Sequence, residues 1–429
     1  MRELFDRLQQ VPEFKKACEI LKAEEDRTWK EHQELVLIPA FSRFEEKRAL
    51  HYQEMLEAEG FKTCRDAVNN VYYTFKGTDP NAPTVYMTAH IDTVFPMDTP
   101  LAITEKDGVY YCPGIGDDTA QLAQILTLVR VIKGSGVKFK GDLIIGGNVG
   151  EEGLGDLYGV RHFFSKKENA DMVDGFITFD GSSTGIVTGG TGSYRYKVSF
   201  KGPGGHSYGD FGMPNPIFAM GRAISLFSQM KAPVDKKTTF SVGVVEGGTS
   251  VNSIPYACSM LVDMRSESKA NLDAEDECFK KIIAQAVEEE NARWMEDKEL
   301  YSDRYSKAGF VPLCDRKVEA VIEQLGNRPV GEIQPVDSPI VKASIDAFRA
   351  VGIEPVMRGC SSTDANIPIS MGIPAVGMGG GGKGGGAHSS GEWFDPTDIT
   401  RNLSKNFVLL CGLLGVDGLT EPLLPVREQ

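Results

Sequence analysis

The stretch Asp142-Leu143-Ile144-Ile145-Gly146-Gly147-Asn148-Val149-Gly150-Glu151-Glu152-Gly153 decides how the rest of the chain is read. Leu143 to Val149 is apolar, β-branched and closed by a glycine, which predicts a short buried strand. Two adjacent carboxylates at the mouth of such a strand repel each other and gain nothing from packing. Neighbours on extended chain also point to opposite faces unless the backbone turns. The pair makes sense if a cation neutralises one carboxylate while the other stays free beside it to move protons. A solvated Glu-Glu turn is the commoner fate of such a pair alone, so other segments must supply further ligands.

Those segments lie on either side. Thr84 to Thr88 reads as a strand running into Ala89-His90-Ile91-Asp92, where His90 and Asp92, one residue apart, share a face. Asp117 and Asp118 open an amphipathic helix, Gln121 to Ile132, at the end that favours anions; a plain helix cap is the competing reading. Gly175 to Gly181 is a strand ending in Asp180. Further helices are expected from the spacing of Leu4, Leu8, Val11, Phe14, Cys18 and Leu21, and of Arg48, Leu50, His51, Met55 and Leu56. Alternating strands and helices predict a doubly wound α/β sheet, which collects functional groups beyond the carboxyl ends of its strands.

The pattern changes near Gly189. Ser193 to Phe200 alternates with period two, and a Gly-Pro loop holding His206 follows. A helix (216–230), two strands (239–245 and 257–264), an acidic helix (272–294) and a strand (318–325) come next. This β-α-β-β-α-β order is that of a ferredoxin-like unit. The expected fold is therefore a mixed-sheet α/β catalytic domain, residues 1–191 and 333–429, with an inserted α+β lid and dimerisation domain, residues 192–332. After the insertion come a helix (338–351), a strand (373–378) and a glycine run, Gly379 to Gly386, expected to be a flexible loop. That run leads to His388, and a helix (402–414) closes the chain.

Composition narrows the chemistry. At 429 residues the chain is too long for one core, and a net charge of -14 argues against nucleic acid and anionic membranes as partners. No segment reads as a signal peptide or a bilayer span. The eight cysteines are scattered without a CxxC, which points to free thiols in the cytoplasm, so any metal must be held by His, Asp and Glu. His32, His51 and His162 fall on predicted helices and read as structural. The glycine run lacks a Walker A pattern. His90, Asp117, Glu151, Glu152, Asp180 and His388 sit at strand ends or in loops feeding helices. Such a set could hold two divalent ions if one carboxylate bridges them, with Zn²⁺ favoured and Co²⁺ or Mn²⁺ possible.

Ten segments in order now make the resemblance specific: Ala89-His90-Ile91-Asp92, Gly116-Asp117-Asp118, Gly150-Glu151-Glu152-Gly153, Phe179-Asp180-Gly181, Gly205-His206-Ser207, Asn252-Ser253-Ile254-Pro255, Asp263-Met264-Arg265, Asn327-Arg328-Pro329, Ser362-Thr363-Asp364 and Ala387-His388-Ser389. Through them the chain resembles the M20 family of metallopeptidases, which includes glutamate carboxypeptidase, tripeptidase, dipeptidase and acyl-amino-acid hydrolase members. The resemblance implies that His90 and Asp180 bind one metal, Glu152 and His388 the other, and Asp117 bridges them. It implies Asp92 as the group orienting His90, Glu151 as general base, and His206, from this chain or a partner subunit, as oxyanion donor. Asn252 and Arg328 would hold a substrate carboxylate, with Arg265 a weaker candidate. The chain departs from the family in having Thr119-Ala120 where Lys-Gly often follows the aspartate pair, a difference outside the metal ligands.

The implied activity is hydrolysis of an amide bond next to a free carboxylate by a homodimeric small-peptide exopeptidase. An N-acyl-amino-acid hydrolase with the same site is the alternative. A binding protein that has lost catalysis is the reading from another class.

Overall fold

The structure, a computed structural model, describes residues 7, 8, 10–305 and 317–428, so Leu4 and Cys314 lie outside the described residues. Packing divides the chain into two compact units, Met1–Gly190 with Gly331–Gln429, and Thr191–Val330. Before the insertion the strands are β1 (Cys64–Arg65), β2 (Val71–Phe75), β3 (Thr84–His90), β4 (Thr104–Lys106), β5 (Val109–Tyr111), β6 (Asp142–Asn148), β7 (Gly175–Phe179) and β8 (Gly185–Gly190). The second unit holds β9 (Gly192–Lys201), β10 (Gly205–His206), β11 (Thr238–Gly247), β12 (Ser253–Ile254), β13 (Ala257–Ser266) and β14 (Glu319–Arg328). The chain then adds β15 (Val356–Ser361), β16 (Ala375–Met378), β17 (Lys383–Gly385) and β18 (Trp393–Asp395). In chain order the helices are α1 (Pro12–Ala23), α2 (Glu25–Val36), α3 (Glu46–Ala58), α4 (Thr119–Ser135), α5 (Tyr158–Ser165), α6 (Lys167–Met172), α7 (Pro216–Ser228), α8 (Lys269–Tyr305), α9 (Pro339–Ala350), α10 (Asn366–Ser370) and α11 (Ile399–Leu414).

The first unit is built on an eight-stranded sheet of order β1-β2-β6-β3-β7-β16-β8-β15. Its centre, β6-β3-β7-β16, is parallel, with β2 and β8 antiparallel on either side. Alternation along the central strands feeds two cores. Val85, Met87, Leu143, Ile145, Ile177 and Phe179 face a large cluster with α4 and α11, while Tyr86, Ile144 and Phe176 meet Phe163, Phe164 and Ile367 on the other side. Both faces are covered, so these strands read as continuous apolar runs. Each such fully buried side chain stabilises by about 1.5–3 kcal/mol. In α3 the buried face is Arg48, Ala49, Tyr52 and Leu56, and Leu50 is exposed. Arg48 tolerates burial because its guanidinium donates to Ile38 O and Ile91 O.

A small sheet, β17-β18-β5-β4, was not foreseen. It corrects the reading of the glycine run as a flexible loop, since Lys383–Gly385 pairs with Trp393–Asp395. Glycines carry no strand signal of their own, and here the absence of a side chain is required: a Cβ on Gly385 would lie 2.8 Å from the Trp393 indole nitrogen. Strands β8 and β15 were also missed, for β8 is half glycine.

In the second unit β11, β13, β9 and β14 form one antiparallel sheet in that order. Taken by their order within the unit the strands run 2-3-1-4, the ferredoxin-like arrangement. Tyr196, Val198, Phe200, Met260 and Val262 pack against Ala223 and Phe227 of α7 and Phe279 and Ile283 of α8.

A candidate metal centre at the carboxyl edge of the sheet

Parallel pairing sets His90 beside Asn148, so β3 and β6 deliver His90 and the Glu151-Glu152 turn to the same edge. Gly150 and Gly153 flank the two glutamates with φ of +67° and +47°, left-handed values that favour glycine. This turn removes the strand alternation that would otherwise send the two carboxylates to opposite faces. Glu151 and Glu152 are 5% and 6% exposed.

Asp92 is the anchor of this corner. Its Oδ1 accepts from the Glu151 amide at 2.9 Å, and its Oδ2 accepts from the Glu152 amide at 2.9 Å and the Ser42 hydroxyl at 2.5 Å. Its backbone carbonyl lies 3.0 Å from His90 Nδ1, while its carboxylate stands at 3.6 Å. A proton on Nδ1 satisfies that carbonyl and leaves the Nε2 lone pair free to act as a ligand. The Asp92 backbone carbonyl and, at longer range, its carboxylate face the imidazole, and the carboxylate also holds the two glutamate amides.

Asp117 sits between the two histidines. Its Oδ1 is 2.9 Å from His90 Nε2 and its Oδ2 is 3.3 Å from His388 Nε2, which also lies 2.8 Å from Glu152 Oε1. Ligand atoms of His90, Glu151 and Glu152 fall within 4.8 Å of one another, as do those of Asp117, Glu152 and His388. Asp180 follows β7 and is joined to the cluster electrostatically: burial first, then the Asp117 carboxylate, pushes its carboxyl up to about 7. Hydrogen bonds to Asp117 and Glu152 raise the His388 imidazole to about 10. Burial opposes ionisation of Asp117, but His388 and His90 hold its carboxyl below the ordinary range. Histidines and Asp180 all pushed toward protonation mean a surplus of negative charge. Imidazole nitrogens and carboxylate oxygens around such a surplus fit divalent cations.

Several supporting residues were not assigned roles from sequence. Glu392, 1% exposed, accepts from the amides of Gly114, Gly116 and Asp117 at 2.9, 2.7 and 2.9 Å, and so fixes the loop carrying Asp117. It lies in the segment quoted around His388, yet nothing in a Gly-Glu-Trp triplet points to amides 275 residues away. Asp118 makes no side-chain cap to α4; its carboxylate accepts instead from the amides of His90 and Gly181. The Asp117–Asp118 peptide is cis. Of the histidines read as structural, His32 is buried with Nε2 2.6 Å from Ile115 O, and burial lowers its pKa to about 4.

The remaining predicted residues belong to the second unit. His206 pairs with Ser253 across β10 and β12, and the Ser207 amide donates to Asn252 O. His206 Nδ1 accepts from the amides of Tyr208 and Gly209, which places the proton of the neutral ring on Nε2. Arg328 is 3% exposed and lies opposite Ser193 on β9. Arg265 donates to Asp263, a carboxylate it shares with Arg195.

Comparison with known proteins identifies a family and a fold. The model of the family described as "Peptidase family M20/M25/M40" matches residues 86–405. A probable carboxypeptidase of Emericella nidulans is 25% identical over 54% of this chain and 61% of its own length. A probable carboxypeptidase of Aspergillus oryzae is 26% identical over 60% of this chain and 64% of its own. The chain thus spans about three-fifths of the length of the curated relatives it matches. The solved structure of a tripeptidase from Staphylococcus aureus superposes with a TM-score of 0.68 at 22% identity, over 90% of this chain and 97% of that one.

Proposed function

Because this chain belongs to the peptidase family M20/M25/M40, we propose that it is a di-metal exopeptidase that cleaves an amide bond near a free carboxylate of a small peptide. The carrying observation is Asp117, whose two oxygens face His90 and His388 with Glu151 and Glu152 alongside. His90 and Asp180 would hold one ion, Glu152 and His388 the other, and Asp117 both, with Zn²⁺ first and Co²⁺ or Mn²⁺ as alternatives. When bound, two such ions supply Lewis acidity toward the scissile carbonyl and lower the pKa of the attacking water.

The chain's own groups do the rest. Glu151, held by Asp92 through its amide, takes a proton from the attacking water and returns it to the leaving amine. Nε2–H of His206 is the donor suited to the developing oxyanion. Asn252 and the Arg328 guanidinium hold the carboxylate of the substrate. The exposed Val244 and Val245 on edge strand β11 support assembly as a homodimer through the second unit. The seven described cysteines are all free, which supports a cytoplasmic setting. No described helix is long and apolar enough to cross a membrane.

The test is hydrolysis of di- and tripeptides beside N-acetyl amino acids by the Zn²⁺-, Co²⁺- or Mn²⁺-loaded protein, read by mass spectrometry with a chelated control. Chelator-sensitive trimming of free peptides is expected. Turnover confined to N-acyl substrates would move the assignment to a deacylase, and no turnover by the loaded protein would favour a binding protein. Glu151→Gln should keep its metals and lose at least about 1,000-fold in kcat; wild-type-like turnover would remove Glu151 as the base.

A further inference from the structure

Next to Asp180 lies a pocket of about 90 Å³ whose lining includes Ser183, Gly185, Arg358, Ser361 and Thr363. All of it belongs to the first unit. Arg358 enters it through a defect in the ladder between β15 and β8: Met357 pairs with Ile186 and Gly359 with Val187, so Arg358 is skipped. Gly359 takes the left-handed φ of +64° that such an irregularity needs. Bulges of this kind re-aim one side chain and recur beside active sites. The floor under the guanidinium is also specialised. A Cβ on Gly185 would lie 2.7 Å from Arg358 Nε and 3.0 Å from its Cδ, so the side chain rests where only glycine leaves room.

The chemistry of the lining is that of an anion site. Among the described residues no carboxylate is paired with Arg358. Three hydroxyls, from Ser183, Ser361 and Thr363, border the same space, and Asp180, the acidic residue there, is the one assigned above to a cation. A guanidinium fork with hydroxyl donors matches a carboxylate. The volume leaves room for a carboxylate on one or two methylenes. The net charge of -14 acts against acidic ligands only at long range, where salt screens it.

We propose that this pocket is a carboxylate subsite, with Arg358 as its specificity residue, and that it gives the enzyme a preference for an acidic side chain beside the scissile bond. The inference rests on the peptidase reading above. Four dipeptides differing only in charge test it: Glu-Gly against Gln-Gly, and Gly-Glu against Gly-Gln. In one of the two positions the wild type should favour Glu about tenfold in kcat/KM, carried by KM. Arg358→Gln should bring that ratio to about one. Gly185→Ala, which displaces the guanidinium without removing its charge, should also lower it. A wild-type ratio near one at both positions, or an unchanged ratio in Arg358→Gln, overturns the proposal. If no dipeptide is hydrolysed, the peptidase reading fails, and the subsite is read from calorimetric binding of glutarate and glutaramate. Tighter glutarate binding that disappears in Arg358→Gln upholds the subsite; equal binding of the two probes to wild type and variant overturns it.

Discussion

Asp92→Asn is the most informative single change at the candidate metal centre. The native carboxylate accepts three hydrogen bonds, from the amides of Glu151 and Glu152 and from the Ser42 hydroxyl, and it is fully buried. The side chain of Asn keeps one oxygen and turns the other acceptor into an NH₂ that faces an N–H donor. One charge-assisted bond, worth about 1.5–3 kcal/mol, is lost and one buried amide is left without an acceptor, so a destabilisation of about 3 kcal/mol is expected. His90 should be largely spared, because its Nδ1 is served by the Asp92 backbone carbonyl, which the substitution retains. The loss therefore falls on the glutamate turn, whose flanking glycines leave it little stiffness of its own. Loosening a supporting contact of this kind weakens metal binding by about 10–100-fold. Chelator competition for Zn²⁺ and thermal unfolding of the metal-free protein measure the two effects. Ser42→Ala, which leaves both amides bound, should cost only about 1 kcal/mol. An Asp92→Asn protein with wild-type thermal stability and metal affinity within about twofold of wild type would refute the assignment of Asp92 as the anchor of this turn.

Two further outcomes follow from other parts of the molecule. Arg328→Ala should raise KM for free-acid peptides about 100-fold while leaving C-terminally amidated peptides nearly unaffected, since a charge-assisted fork is lost only with the former; equal effects on both would remove Arg328 as the carboxylate anchor. Glu275 on α8 is buried with neither carboxylate oxygen hydrogen-bonded, and burial pushes its carboxyl from 4.5 up to about 7. A raised folded-state pKa means no cost below pH 4.5 and a growing cost as pH rises to about 7, so Glu275→Gln should stabilise by about 2 kcal/mol at pH 8 and by nearly nothing at pH 4. Denaturant titrations at the two pH values decide it, and a gain of equal size at both would show that the charge is not the cause.

Much of the architecture was legible because local patterns carry it. The central strands, buried on both faces, stand out as apolar runs, and β9 and β13 of the second unit alternate with period two. Strand ends such as His90 and Asp180 were identifiable as chemistry-bearing for the same reason. What escaped was whatever depends on a distant partner or on glycine. Half of β8 and two of the three residues of β17 are glycine, whose pairing is settled by the neighbour it must approach rather than by any preference of its own.

The order of the histidines and carboxylates along the chain, the elements that end in them and the family they mark were determined by the sequence itself, because residue type and period act locally. The tertiary structure decided which oxygen faces which nitrogen. Only folding brings Glu392 under the Asp117 loop, turns Asp92 onto the amides of Glu151 and Glu152, and seats Arg358 over Gly185. Those contacts join residues far apart in sequence, and no local propensity encodes a hydrogen bond whose partner arrives from another strand.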